Sequence, residues 1–342
     1  MLSSKFKVVR YTPDHIDKWD SFVRKAINGT LFQEQTFIGY HPEGRFEEHS
    51  LMIFYKNQLR MVFPAAEQFR KLPDGSEIRV LRSHPGTSYG GPAIGEQTYF
   101  EECMALMEAL ESHAVREGFD RIEFRMPPAI FQKRPCEQLE YAIHHQGYQQ
   151  VNREIATCYD LEQYRGRNLR YFLREGDPLL DRRIRTGVKR GLDSGMELRK
   201  ISNEDIAVFH ELLSRNLLKH GATAVHSVQE IEKINNLYHD RCELLGVYIG
   251  DRLVAGYYVM TINEVGRNLF YITMDYEVQH LRPNTFGIAS LLLKTADEGF
   301  RYMNMGISTE DGGKIVNTNL LGYKESFGGL GIIRTNWAKN LL

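Results

Sequence analysis

Six residues, Arg282-Pro283-Asn284-Thr285-Phe286-Gly287, stand between an alternating segment, NLFYITMDYEV, and an apolar run, IASLLLKTADEGF, that reads as a helix beginning at or just before Ile288. A strand that turns through small or polar residues onto a helix N-terminus builds an anion site. Backbone N–H groups face the ligand, the helix end adds positive potential, and an arginine contributes a fork of donors. Phosphate is the ligand class that such chemistry suits. A structural reading stays open beside it, in which Pro283 ends the strand and Arg282 is a surface cation.

The bulk properties fit a soluble protein of more than one core. At 342 residues, with 42% hydrophobic and 25% charged residues, two domains are the natural expectation. Lys and Arg number 43 against 44 Asp and Glu, so no global field attracts a polyanion, and an extended nucleic-acid partner is disfavoured. No window approaches the ~18 apolar residues of a membrane span, and the start lacks a signal-peptide core, so the expected location is the cytoplasm. Cys103, Cys136, Cys158 and Cys242 are scattered without metal-finger spacing, and the adjacent His144 and His145 make a poor metal pair. No metal is expected.

The elements that must position RPNTFG occur twice. FKVVRYTPDHIDKWDSFVRKA and ELRKISNEDIAVFHELLSRNL both read as strand, cap and helix, with Asp14–Ile16 opposite Glu204–Ile206. Two hairpins follow, turning at Lys56-Asn57 and at Gly250-Asp251. Each copy then closes with a helix leading through Gly118-Phe119 or Gly299-Phe300 into a strand. The order predicts an α/β protein of two related units, each a mixed sheet flanked by helices. The first copy would span 1–162 and the second 195–342, joined over 163–194 by a basic linker containing a helix, LLDRRIRTGVKRG, that ends at Gly191.

With Arg-x-x-Thr-x-Gly after the hairpin and before the helix, the second copy resembles the Gln/Arg-x-x-Gly-x-Gly/Ala loop of the GNAT acyltransferases. That loop wraps the pyrophosphate of acyl-coenzyme A; here the middle small residue is Thr285 instead of Gly. The closing LLGYKESFGG, through Tyr323, Lys324, Phe327 and Gly328, is similar to the ending of the FemAB-like transferases, which are tandem GNAT-fold proteins. The resemblance implies acetyl-CoA or another acyl-CoA as acyl donor, held by Arg282, Asn284, Thr285, Phe286, Gly287 and Ile288. The first copy lacks a basic residue at its glycine-rich turn, SYGGPAIG. One donor site is therefore expected, with a degenerate first domain forming a wall for the acceptor.

On that pattern the glycine-rich segment 306–329, GISTEDGGKIVNTNLLGYKESFGG, would cross and return along the cleft. Tyr323 is placed to protonate a departing thiolate, or else anchors the core. Glu310 and Asp311 are placed to take a proton from the attacking ammonium, or else serve as turn residues. Lys324 would bind an acceptor phosphate or carboxylate, or else bridge to Glu325 or to the acids at 310–311; in a strand it would point away from Tyr323. Asn317 and Asn319 would share one face of an extended segment and orient a sugar hydroxyl, or cap a turn. In the first copy, the loop RSHPGTSYGG offers His84, Tyr89 and Gly90 to a polar acceptor. The basic run 165–190 offers Arg185 and Lys189 to a diphosphate, or forms a solvated face.

The leading expectation is an acyl-CoA-dependent N-acyltransferase. It would move an acyl group, such as acetyl, to an amino sugar or nucleotide-linked amino sugar of cell-surface polysaccharide. The alternatives are an aminoacyl-tRNA-dependent FemAB-type transferase acting on a peptidoglycan precursor, in which case tRNA is the nucleic-acid partner, and a non-catalytic GNAT-like binding module. The oligomeric state stays open.

Overall fold

The protein is described by a computed structural model covering residues 5–175, 181–219 and 221–341. Contacts divide it into two compact units: one formed by residues up to Glu154 with Ile333–Leu342, the other by Ile155–Ile332.

The first unit begins with β1 (Phe6–Arg10), a 3-10 turn at Pro13–His15, and α1 (Ile16–Lys25), which buries Trp19 and Val23. Asp20 on α1 caps the short α2 (Gln35–Ile38), accepting the Gln35 amide at 2.6 Å. After β2 (Glu47–Glu48), strands β3 (Leu51–Tyr55) and β4 (Gln58–Phe63) form the expected hairpin. Its turn residues Lys56 and Asn57 both have positive φ, 45° and 65°, as a two-residue primed turn requires. Pro64, which has no N–H to donate, separates β4 from β5 (Ala65–Lys71). There follow β6 (Glu77–Ser83), β7 (Ala93–Ile94), α3 (Phe100–Arg116), β8 (Arg121–Arg125), α4 (Gln138–His145) and β9 (Gln149–Asp160). Cys103, Leu106, Met107, Leu110 and Ala114 recur at helical spacing along α3 and bury its inner face.

The second unit holds α5 (Arg182–Asp193), β10 (Met196–Lys200), α6 (Ile206–Leu218), α7 (Val228–Leu237), β11 (Cys242–Ile249), β12 (Arg252–Thr261) and β13 (Gly266–Met274). It continues with α8 (Pro283–Asp297), β14 (Tyr302–Ile307), the small strands β15 (Thr309–Glu310) and β16 (Ile315–Val316), α9 (Thr318–Glu325) and β17 (Leu330–Asn340).

The two units share one strand plan. In the second, β10-β11-β12-β13 are antiparallel neighbours, β13 pairs β14 in parallel, and β14 pairs β9 antiparallel. In the first, β1-β3-β4, the continuation β5 and then β6 repeat the antiparallel run, β6 pairs β8 in parallel, and β8 pairs β17 antiparallel. Asp14 and Glu204 sit in the 3-10 turns before α1 and α6, and Gly118 and Gly299 both take positive φ before the equivalent strand. The sixth strand of each unit is a swapped one. The chain passes into the second unit within β9 and returns to the first within β17.

Those crossings correct the sequence-based boundaries of 162 and 195. The region read as a linker, 163–194, falls inside the second unit. Its helix α5 starts at Arg182 and ends at Asp193 rather than at Gly191; Leu179 and Leu180, read as its beginning, lie outside the described residues. Among the described residues, no helix is long and apolar enough to cross a membrane.

Candidate active site

The parallel pairing of β13 with β14 covers only Gly266–Asn268 against Tyr302–Asn304. Beyond it β13 follows β12 as far as Met274, while β14 follows β9 as far as Ile307. Two parallel strands that part company leave a wedge at their C-terminal ends, where α/β folds place ligands. Buried amides mark the fork: Asn304 Nδ2 donates to Asn268 Oδ1 at 2.8 Å, and Asn304 Oδ1 accepts the Gly306 amide at 3.0 Å. These side chains satisfy polar groups where the ladder stops.

From β13 the chain runs through a 3-10 turn at Tyr276–Leu281 to Arg282, which adopts the left-handed conformation (φ 59°, ψ 51°). Arg282 is the N-cap of α8 and Pro283 its first residue, a position where proline loses no hydrogen bond. The Arg282 carbonyl accepts the amides of Thr285 (3.1 Å) and Phe286 (3.3 Å). The helix therefore starts at Pro283, not near Ile288, and the supposed loop is its first turn.

This changes what RPNTFG does. Thr285, Phe286, Gly287 and Ile288 are buried and pack the helix instead of offering side chains to a ligand. A Cβ on Gly287 would lie 2.1 Å from the Tyr257 hydroxyl oxygen. Thr285 and Phe286 fit against α5 at Gly187 and Gly191, where added Cβ atoms would approach to 2.6 and 2.4 Å. Asn284 accepts the Tyr257 hydroxyl at 3.1 Å. What faces outward is the exposed Arg282 side chain at a helix N-terminus whose first turn holds no acid. Those features fit a pyrophosphate by charge, by the guanidinium fork and by the helix dipole.

The YKESFGG segment reaches the same place, as helix α9 and not as extended chain. The Tyr323 hydroxyl is enclosed and hydrogen-bonds with Thr285. Burial pushes its pKa up to about 12, against the lowering effects of that bond and of the Arg282 charge. On a helix Lys324 lies about 100° around from Tyr323, and it is 3% exposed. Its Nζ donates to the carbonyls of Gly306 (2.9 Å) and Ile307 (2.8 Å), so it braces the end of β14 instead of presenting itself to an acceptor. Burial lowers its pKa to about 8. The segment is also held by two buried tyrosines that sequence reasoning missed: Tyr159 donates to the Lys324 carbonyl at 2.7 Å and Tyr164 to the Phe327 carbonyl at 2.6 Å.

Other expected site residues are placed elsewhere. Glu310 and Asp311 are exposed on the β15–β16 hairpin, where Asp311 pairs with Lys314 at 3.1 Å; this position does not support their role as bases. Asn317 caps α9 by accepting the Leu320 amide at 3.0 Å, and Asn319 is exposed on that helix, so the two do not share an extended face. Arg185 donates to the Arg174 carbonyl at 3.1 Å, and Lys189 is exposed on α5.

In the first unit Tyr89 is 2% exposed and packs edge-on against Phe32, a core anchor and not an acceptor ligand. Gly90 spends its amide on the Arg125 carbonyl at 3.0 Å. His84 is buried beside His41 and Phe46, and burial drives its pKa down to about 3, so it is neutral. The loop reads as polar in sequence but packs as core. One further missed feature had a signal: Gly187 and Gly191, four apart in GVKRG, announce a close helix contact.

Residues 180–324 match the family model described as Acetyltransferase (GNAT) domain. That match supports an acyl-CoA-dependent N-acyltransferase activity. Among solved structures, the chain is similar to one described as FemX, with 12% identity and a TM-score of 0.69, over 98% of this chain and 97% of that one. It is also similar to the C-terminal domain of a putative lysylphosphatidylglycerol synthetase from Agrobacterium fabrum (11% identity, TM-score 0.58, 96% of this chain and 92% of that one). A third is a tandem GNAT protein from the clavulanic acid biosynthesis pathway (11% identity, TM-score 0.54, 98% and 99%). At such identities the likeness is one of fold. No curated protein matches the sequence.

Proposed function

We propose that this protein is a tandem GNAT-like N-acyltransferase of the FemAB-like kind. It moves an acyl group, acetyl or another, from coenzyme A to the amine of an amino sugar or nucleotide-linked amino sugar of cell-surface polysaccharide. The observation that carries the donor half is the meeting of three features in the second unit: an acid-free helix N-terminus, the exposed Arg282 that caps it, and the Tyr323 hydroxyl on Thr285 of the same turn. The acceptor class rests on the resemblance of YKESFGG to the FemAB-like ending.

When bound, acyl-coenzyme A supplies an acyl group activated as a thioester. Arg282 and the positive N-terminal end of α8 would hold phosphate oxygens. Tyr323, with a pKa near 12, keeps its proton at neutral pH and would be the O–H donor to the departing thiolate. Lys324 fixes the end of β14 through the Gly306 and Ile307 carbonyls, and so holds one wall of the wedge.

Mass spectrometry of small molecules that co-purify with the protein, followed by calorimetric titration with coenzyme A and acetyl-CoA, tests this reading. Saturable binding that is lost on Arg282→Ala is the expected result. Absence of binding in the parent protein would remove coenzyme A as donor and favour an aminoacyl-tRNA.

A further inference from the structure

The outward face of the first unit's sheet carries an arginine cluster that the proposed transfer does not use. Arg70 stands on β5, Arg82 on β6, Arg121 and Arg125 on β8, and Arg334 on β17. The strand register sets Arg82 opposite Glu123, and Arg125 opposite Asn336. Two carboxylates answer part of this charge. Glu123 takes both ends of Arg70 (2.7 and 2.7 Å) and Arg121 Nε (2.6 Å). Glu154 takes Arg334 through Nε and Nη2 (2.9 and 2.6 Å).

Arg82 and Arg125 are left with neutral partners. Arg82 donates to Gln68 Oε1 at 3.0 Å, and Arg125 reaches the Ser88 carbonyl at a long 3.4 Å. Arg125 Nε is buried and has no hydrogen-bond partner among the described residues; the same is true of the acceptor Asn336 Oδ1. Burial, reinforced by the Arg334 and Arg82 charges and only partly opposed by Glu154, pulls the Arg125 pKa down to about 10. Five arginines against two glutamates leave a net charge of about +3 around a cavity of about 240 Å³ lined by Arg82, His84, Arg125 and Asn336. A half-buried guanidinium with an unused donor, whose counter-charge is the Glu154 carboxylate already bonded to Arg334, gains from a ligand that brings negative charge of its own.

We propose that this cavity is a binding site for an oxyanion, a phosphate or carboxylate group, on a small molecule that also carries a hydroxyl or amino donor. Arg125 and Arg82 take the anion as a pair of forks. Asn336 Oδ1, an acceptor without a donor, takes the hydroxyl or amine. His84, being neutral, adds shape and no charge. A neighbouring cavity of about 440 Å³ shares Arg70 and Arg121 and adds Leu72 and Ile78, which gives the less polar part of the ligand room. All these residues belong to the first unit, and none takes part in the Arg282–Tyr323 site. The site therefore stands or falls independently of coenzyme A binding.

Calorimetric titration of the full chain with inorganic phosphate, malonate and glucose 6-phosphate, in a buffer free of other oxyanions, tests it. Saturable binding is expected, with the stronger of phosphate and malonate identifying the anion type. Arg82→Gln and Arg125→Gln should each weaken it at least tenfold, and Asn336→Leu should weaken glucose 6-phosphate more than phosphate. Without ligand, Arg125→Gln should melt at or above the parent temperature, because it removes a half-buried charge that lies beside Arg82 and Arg334. No saturable binding of any probe overturns the site. So does unchanged affinity in Arg82→Gln, which decides the matter if Arg125→Gln does not fold. A lower melting point for folded Arg125→Gln with unchanged phosphate affinity would likewise make Arg125 a structural residue.

Discussion

The two parallel strand pairs, β6 with β8 and β13 with β14, begin alike and end differently. Each pairs over three residues before its strands part. In the first unit the space beyond is closed by the loop from His84 to Gly91. Gly90 and Gly91 both donate to the Arg125 carbonyl at 3.0 Å, and the Arg125 amide donates to Ser83 Oγ at 3.0 Å. In the second unit the chain runs from β13 through one short turn to α8. The helix ends differ to match. The first turn of α3 holds Glu101 and Glu102, the latter paired with Arg60 at 2.5 Å, so its positive end is already answered by carboxylates. The first turn of α8 holds no acid and is capped by Arg282. The two units thus treat equivalent helix ends differently: one carries an arginine and no acid, the other two carboxylates beside a loop that crosses the strand ends.

The largest test of that contrast is at Tyr323. If the open wedge is where transfer occurs, Tyr323→Phe should lower kcat by about 10²–10⁴ with both KM values nearly unchanged, since the phenol acts in the transition state. Steady-state kinetics with a competent acceptor decides it, and full kcat in the variant would make Tyr323 a packing residue. Next comes Arg282→Ala, expected to weaken coenzyme A binding by roughly 1.5–3 kcal/mol with little change in melting temperature. The paired control is Glu101→Gln, which should leave coenzyme A affinity within about twofold; a real gain would mean that α3 also takes part.

Gly287→Ala probes the packing behind the open end. A Cβ there meets the Tyr257 hydroxyl, so urea unfolding should show a loss of about 1–3 kcal/mol. The smallest effect is a pH dependence. Lys324 titrates near 8 in the folded protein and near 10.5 when unfolded, so between those values the unfolded chain holds the extra proton. Stability contributed at this site must then rise with pH across that window. Relative to Lys324→Met, the parent should gain about 1–2 kcal/mol between pH 8 and 9.5 in urea melts. A flat difference would mean that the ammonium is not buried as described.

Much of the fold was legible because its signals are local. The Lys56-Asn57 and Gly250 turns, the caps before Ile16 and Ile206, and the positive-φ glycines 118 and 299 each act within a few residues. The site was less legible. Pro283 reads equally well as the end of a strand or as the first residue of a helix, and only the fold decides. Small residues at 285 and 287 suggest room for a ligand, yet here they make room for Tyr257 and for α5. The glycine-rich text around 306–329 hides a short helix whose cap, Asn317, resembles any loop asparagine. His84 and Tyr89 look solvent-facing because loops usually are, but this loop fills a wedge.

The swapped last strand has a consequence for how the molecule comes into being. Trp337 lies in the first unit's core and pairs with Phe124, and Asn340 binds Arg121 across 219 residues of chain. During synthesis from the N-terminus, the first half of the protein therefore emerges with the edge of β8 uncovered. It waits for nearly the whole of the second half to be translated before that edge is sealed. An exposed strand edge held through such a delay invites mispairing and chaperone capture. Chains halted before Ile333 should accordingly leave the first unit protease-sensitive on the ribosome, with protection arriving only as the final strand clears the exit tunnel.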